Sequence, residues 1–162
     1  MGYCVPAAIG TKLIHRNNQV IGIVGDGAFL MTCMEILTAS RERLGITYFV
    51  FNDGELSQIA QGQEIPYNRK TCTILGKIKL DGLCKTLGAE FLDINNNDDL
   101  ELVIPKALKY AVGGVPVVVN VNIDYSKRTR FTEGVVKVVM GGFPFADKVR
   151  MVGRAIKRKV TG

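Results

Sequence analysis

Two aspartates, Asp26 and Asp53, each precede a glycine and follow a short apolar run, in Val24-Gly25-Asp26-Gly27 and Phe51-Asn52-Asp53-Gly54. Glycine lets the backbone come close to a ligand at such a turn. If the two runs are neighbouring strands, both carboxylates stand at the same end of a sheet and converge on one point. Converging carboxylates repel unless a cation lies between them. Hard oxygen ligands suit Mg2+ or Ca2+, and Mg2+ commonly combines one or two carboxylates with phosphate oxygens. The amides of Gly27 and Ala28, at the start of a helix, would offer donors to an anionic phosphate. These residue types ask for Mg2+ and a phosphorylated guest, although two ordinary turn aspartates would have the same spacing. Other phosphate patterns are absent: Gly22 to Gly27 lacks the GxGxxG spacing, and no GKS or GKT occurs.

Strands must end at these turns for the carboxylates to meet. Gln19–Val24 and Ile46–Phe51 are compact apolar runs, and the second reads as a strand covered on both sides. Between them, Phe29–Arg43 is predicted as one helix, with apolar residues at 29, 30, 33, 34, 37 and 44 forming a buried face. Pro6 to about His15 predicts a short helix, and Leu80–Leu87 another, ended by Gly88. Residues 55–75 read as irregular or partly helical, with Pro66 breaking any helix. Glu90–Ile94 predicts a short strand, and Asn95-Asn96-Asn97-Asp98 a turn that caps a helix through about Tyr110. Gly113-Gly114 breaks that helix, and Val115–Ile123 is the last strand. Strands alternating with helices imply βαβ units, hence an α/β, doubly wound parallel sheet with helices on both faces. Phe145–Val160 predicts a terminal helix that packs through Phe145, Val149, Val152 and Ile156 with its basic residues outward.

A chain of 162 residues, 47% hydrophobic and 22% charged, fits a soluble globular protein with a sizeable core. No apolar run approaches the ~20 residues that span a bilayer, and no signal-like N-terminus is present, so a cytoplasmic, membrane-free protein is expected. The single His15 excludes His-based triads and multi-His metal sites. Cys4, Cys33, Cys72 and Cys84 show no CxxC spacing and read as buried small hydrophobes. The net charge of +6 comes from the tail: residues 126–162 carry +8 and the first 125 carry −2. A basic tail without interleaved aromatics reads as a solvated helix face more readily than as a nucleic-acid surface.

GDG, 24 residues and then Asn-Asp-Gly resembles the thiamin diphosphate motif. Met1-Gly2-Tyr3-Cys4-Val5-Pro6-Ala7-Ala8-Ile9-Gly10 is similar to the segment that precedes GDG in that superfamily. Gln61–Arg69, Leu87-Gly88-Ala89, and Gly114-Val115-Pro116-Val117 running into Val121–Tyr125 resemble the acetolactate synthase branch. Asn-Asp in place of Asn-Asn and the Tyr67-Asn68-Arg69 triplet are similar to the catabolic acetolactate synthases. The VGDG run also occurs in haloacid-dehalogenase-type phosphatases, but those need a following Asn-Asp where Ala28-Phe29-Leu30-Met31 stands.

The resemblance covers about residues 1–126, leaving 127–162 as a basic C-terminal tail. It implies the thiamin diphosphate-binding fold and the cofactors thiamin diphosphate and Mg2+. Asp26 and Asp53 would bind Mg2+ through their side chains and Glu55 through its backbone carbonyl. Amides of Gly27-Ala28 and Leu56-Ser57 would hold the diphosphate, while Met1 and Met31 would touch the thiamin apolarly. The implied reaction is decarboxylation of pyruvate or another 2-oxo acid followed by carboligation, with another thiamin diphosphate-dependent decarboxylase, lyase or oxidase as the alternative. The activating Glu would sit on a pyrimidine-binding domain of the same or a partner chain, in a homodimer or homotetramer. The chain is thus expected to be the C-terminal part of a longer polypeptide or a separate small subunit, without turnover alone. Ser57-Gln58 stands where the synthases commonly carry Gly-Met, so the substrate pocket is not assigned. A non-catalytic binding or assembly module using the basic tail is the reading from a different class.

Overall fold

Four apolar runs form one all-parallel sheet: β1 (Val20–Gly25), β2 (Ile46–Asn52), β3 (Glu90–Ile94) and β4 (Val117–Asn122), in spatial order β1-β2-β4-β3. The computed structural model describes residues 1–67, 69–76, 78–123, 138 and 141–161, with the backbone alone for 65–67, 158 and 159. The expectations resting on Asn68, Asp124, Tyr125 and most of 126–140 lie outside the described residues.

Helix α1 (Cys4–Ile14) precedes β1, and α2 (Asp26–Leu30) and α3 (Ile36–Arg41) connect β1 to β2. The path from β2 to the far edge strand β3 runs through α4 (Ser57–Tyr67) and α5 (Leu80–Leu87). It returns through α6 (Leu100–Val112) to β4, between β2 and β3, and α7 (Phe145–Thr161) follows. Parallel sheets need cover on both faces, and the burial supplies it. Ile46, Tyr48 and Val50 of β2 join α1, α2, α3 and α5 in one apolar cluster. Val117 and Val119 of β4, on the opposite face, pack with Val103 and Ala107 of α6. The expected doubly wound α/β sheet is therefore the observed one. Edge strand β1 leaves Ile21 and Ile23 exposed.

The chain forms two compact units, one of residues 1–54 and 76–123, which holds the sheet, and one of 55–75 and 124–162. In the second, α4 packs against α7.

Local signals hold where a residue is stereochemically required. Gly88 ends α5 at φ +71°, a left-handed conformation that a side chain disfavours. Asn96 accepts from the amides of Asp98 and Asp99, and Asp99 answers in a capping box ahead of α6. At Gly45, before β2, a Cβ would stand 1.7 Å from the Ala111 carbonyl oxygen of α6.

Three expectations are corrected. The helix over 29–43 is broken at Met31–Thr32 and resumes after a single 3-10 turn at Cys33–Glu35. That break resets the helical phase, so Ile36 and Ala39 are buried while Met34 and Leu37 are exposed. Helix α4 runs through Pro66, whose fixed φ suits a helix, and its span closes one residue later at Tyr67. In α7 the predicted packing stripe faces outward: Phe145, Val149, Val152 and Ile156 are exposed, and the half-buried residues are Asp147, Lys148, Met151 and Ala155.

The cysteines also divide. Cys33 and Cys84 are buried and Cys4 is half-buried, whereas Cys72 is exposed. Burial pushes the Cys4 and Cys33 thiols up and, reinforced by Asp81 and Cys33, pushes Cys84 to about 12. A thiol with a raised pKa holds less reactive thiolate at pH 8. One thiol per native chain, Cys72, should therefore react fast with a disulfide reagent at pH 8. A Cys72→Ser chain that keeps a fast-reacting thiol would contradict this burial pattern. Gly45→Ala should lower stability by about 1–3 kcal/mol through overpacking against α6, read as a lower urea midpoint; an unchanged midpoint would contradict the close approach.

Candidate functional site

β1 and β2 pair in parallel with Gly25 opposite Phe51, so the turns that follow them emerge side by side at the carboxyl end of the sheet. Ligands of open α/β sheets bind at that end. Asp26 is the first residue of α2 and is buried, at 7% exposure. Its Oδ1 accepts from the Gly27 amide at 2.7 Å and its Oδ2 from the Gly54 amide at 2.9 Å. One carboxylate thus joins the two Asp-Gly turns. Gly54 presents its amide from a left-handed conformation, φ +72°, in which a side chain would be strained. The same bond brings the Asp53–Gly54 peptide against Asp26, and Asp53 itself is half-buried.

The donor set fits a hard cation. Each carboxylate oxygen has two acceptor directions, and the Gly27 and Gly54 amides take one on each oxygen of Asp26. The remaining directions are available to a metal, with Asp53 one residue from the shared amide. Among the described residues no cluster of three or more His, Cys, Asp or Glu side chains forms, so any metal here would rely on two carboxylates, backbone and ligand oxygens.

Of the expected diphosphate donors, Gly27 already donates to Asp26, so a guest would have to share that amide. The residue after Met1 sits against Met31. Thr32 Oγ1 donates to the Gly2 carbonyl at 3.1 Å, and a Cβ on Gly2 would lie 3.4 Å from Met31 Cβ. Met1 and Met31 are 69% and 57% exposed, so Met31 is a surface side chain and not helix core.

Glu55, Leu56 and Ser57 belong to the second unit. The Glu55 carboxylate pairs with Lys70 at 3.2 Å and accepts from Thr73 Oγ1 at 2.8 Å. Its carbonyl accepts from Ser57 Oγ at 3.4 Å, and the Leu56 amide donates to the Thr73 carbonyl at 2.8 Å. The Glu55 side chain is thus committed to structure, while the Leu56 amide would have to leave Thr73 to bind a guest.

Sequence reasoning missed a polar ladder at the same end of the sheet. Asn52 Nδ2 donates to Asn120 Oδ1 at 3.0 Å, and Asn120 Nδ2 donates to Asp93 Oδ1 at 2.8 Å. Asn122 Nδ2 continues it to Asn95 Oδ1. The ladder ties β2, β4, β3 and the turn after β3 together below the turn that bears Asp53. Its signal was present: Asn120 and Asn122 interrupt a valine strand, and a buried amide needs partners.

Residues 1–121 match the family described as thiamine pyrophosphate enzyme, C-terminal TPP binding domain. Over 126 residues the chain is 33% identical to an acetolactate synthase of Bacillus subtilis, covering 78% of this chain and 22% of that protein. It is 28% identical to the large subunit of acetolactate synthase isozyme 1 of Escherichia coli, covering 79% of this chain and 23% of that one. An X-ray structure from Mycobacterium smegmatis, described as a thiamin diphosphate-dependent enzyme, superposes with TM-score 0.63 at 25% identity, covering 76% of this chain and 22% of that one. The chain therefore spans less than a quarter of the length of these relatives.

Charged hydrogen bonds to buried groups contribute about 1.5–3 kcal/mol each. Removing the carboxylate in Asp26→Ala should destabilise the metal-free protein by about 3 kcal/mol, measured by chemical denaturation in EDTA. A loss below about 0.5 kcal/mol would mean that Asp26 does not join the turns.

Proposed function

The chain belongs to the thiamine pyrophosphate enzyme family, over its C-terminal TPP-binding domain, and we propose that it anchors thiamin diphosphate through Mg2+ in an acetolactate synthase-like enzyme acting on 2-oxo acids. The observation that carries this reading is the Asp26 carboxylate held by the amides of Gly27 and Gly54. A carboxylate fixed in place before the cation arrives loses little entropy on binding it. Asp26 and Asp53 would hold Mg2+ through side-chain oxygens. The Ala28 amide, together with that of Gly27 once shared, would receive the diphosphate.

Met1 and Met31 support the reading independently. Exposed methionines are adaptable apolar surface, and these two would meet the flat rings of the thiamin. When bound, thiamin diphosphate supplies the nucleophile and electron sink that decarboxylation of a 2-oxo acid and carbon–carbon bond formation require. The residues of this chain hold and orient. None of them is assigned the activating Glu, which would come from a pyrimidine-binding domain of the same or a partner chain in a homodimer or homotetramer. Pyruvate is the proposed donor because the relatives above are acetolactate synthases.

Binding of thiamin diphosphate, measured calorimetrically with a pyrimidine domain supplied, should require Mg2+. It should weaken at least tenfold in both Asp26→Ala and Asp53→Ala. Equal binding in EDTA would contradict the metal anchor, and so would full binding in either variant. The 162-residue chain alone should not consume pyruvate; turnover by the purified chain would overturn the assignment of the activating group to another domain.

A further inference from the structure

Asn120 stands where the pattern of β4 calls for another apolar residue. It lies on the same face of the strand as Val118, which belongs to the larger core cluster, and it is buried, at 8% exposure. A buried amide is tolerated when its hydrogen bonds are made, and here they are. Its Nδ2 donates to Asp93 Oδ1 at 2.8 Å and to Asn122 Oδ1 at 3.4 Å, and its Oδ1 accepts from Asn52 Nδ2 at 3.0 Å. Residue 120 pairs with Val50 on one side and Asp93 on the other, so this amide bridges three strands.

The row of bonds has a direction, and Asp93 sets it. An asparagine side chain can turn either its oxygen or its nitrogen to a neighbour, but a carboxylate only accepts. Asp93 therefore draws the Asn120 nitrogen toward β3, which turns the Asn120 oxygen toward β2. One choice is left at Asn52, whose nitrogen must face β4. Asn122 accepts through Oδ1 and donates through Nδ2 to Asn95, in the same sense. Asn52 is the last residue of β2 and the one before Asp53. β4 holds it a second time, through the Ile123 amide, which donates to the Asn52 carbonyl at 3.3 Å. The end of β2 is thus gripped by side chain and backbone just before the turn whose Gly54 amide meets Asp26.

An apolar residue at 120 would extend the layer of Val118 at little cost to the fold, because Asn52 is half-buried and Asp93 exposed, so both can turn to water. What it would lose is the grip on Asn52. We propose that Asn120 is a positioning residue for the metal turn: directed by Asp93, it holds the Asn52 side chain, and through it the Asp53-Gly54 turn, against Asp26. The role toward the metal rests on the assignment of Asp53 to Mg2+; the hold on the turn does not.

The test reads the full 162-residue chain in two ways, by Gly54 amide exchange without metal and by Mg2+-dependent binding of thiamin diphosphate with a pyrimidine domain supplied. In Asn120→Leu the Gly54 amide should exchange about fivefold faster while the urea midpoint is held. Asn120→Asp sets a second carboxylate against Asp93 and should act likewise. Adding Asp93→Asn to it reverses the pair, so that the new carboxylate accepts from both Asn52 and the new amide, and the rate should return to about the native one. Binding should follow the same order, about fivefold weaker in both single variants at position 120 and recovered in the double variant. Native Gly54 exchange in Asn120→Leu would overturn the proposal, and so would a double variant no better than Asn120→Asp. Unchanged binding in Asn120→Leu would overturn the role toward the metal. If the native chain shows no Mg2+-dependent binding, the cofactor assignment fails, and the exchange series still decides whether Asn120 positions the turn. If Asn120→Leu does not fold, the single and double carboxylate variants decide it.

Discussion

The Asp26 carboxylate is the constraint on which the site depends. Its two oxygens accept from amides on two turns that are 27 residues apart in sequence, one after each of two neighbouring strands. Register brings those turns level, because Gly25 pairs with Phe51 across β1 and β2. Conformation then completes the contact, because Gly54 reaches a left-handed φ that turns its amide back toward Asp26. Neither condition is sufficient alone. A slip of one residue in register would move Gly54 away, and a side chain at position 54 would resist the required φ.

The sheet beneath this contact is made rigid in two ways. Valines on alternate sides of β4 fill both layers of core, with Val118 in one cluster and Val117 and Val119 in the other. Toward the carboxyl end the apolar pattern gives way to Asn52, Asn120 and Asp93, whose hydrogen bonds cross from β2 through β4 to β3. Apolar packing fixes the distance between layers, while directional bonds fix the lateral position of the strand ends. A contact between two turns needs the strand ends held in place, and this layer of amides lies beneath them.

Much of this was legible in the residues, and the failures have physical causes. The four strands could be read because buried parallel strands are short apolar runs between Gly, Asp and Asn. The helix after the first turn was misread because an apolar period measured across 29–44 cannot register a break. Thr32, bonded to the Gly2 carbonyl, stands where the helix stops and restarts. The exposed stripe of α7 shows the converse: an amphipathic pattern reveals which residues could share a face, not whether anything covers them. Asp26 and Asp53 were singled out from their spacing and their glycines. The bond from Asp26 to Gly54 was not, because hydrogen bonding across 28 positions depends on strand register.

The junction of the two turns rests on Asp26 holding the Gly54 amide, and amide hydrogen exchange measures that bond directly. In the metal-free native chain the Gly54 amide should exchange at least a hundredfold more slowly than in Asp26→Ala, in which the side chain has no acceptor. The Gly27 and Gly54 resonances should then shift together when Mg2+ and thiamin diphosphate are added. A Gly54 amide that exchanges at the same rate in both proteins would contradict the account.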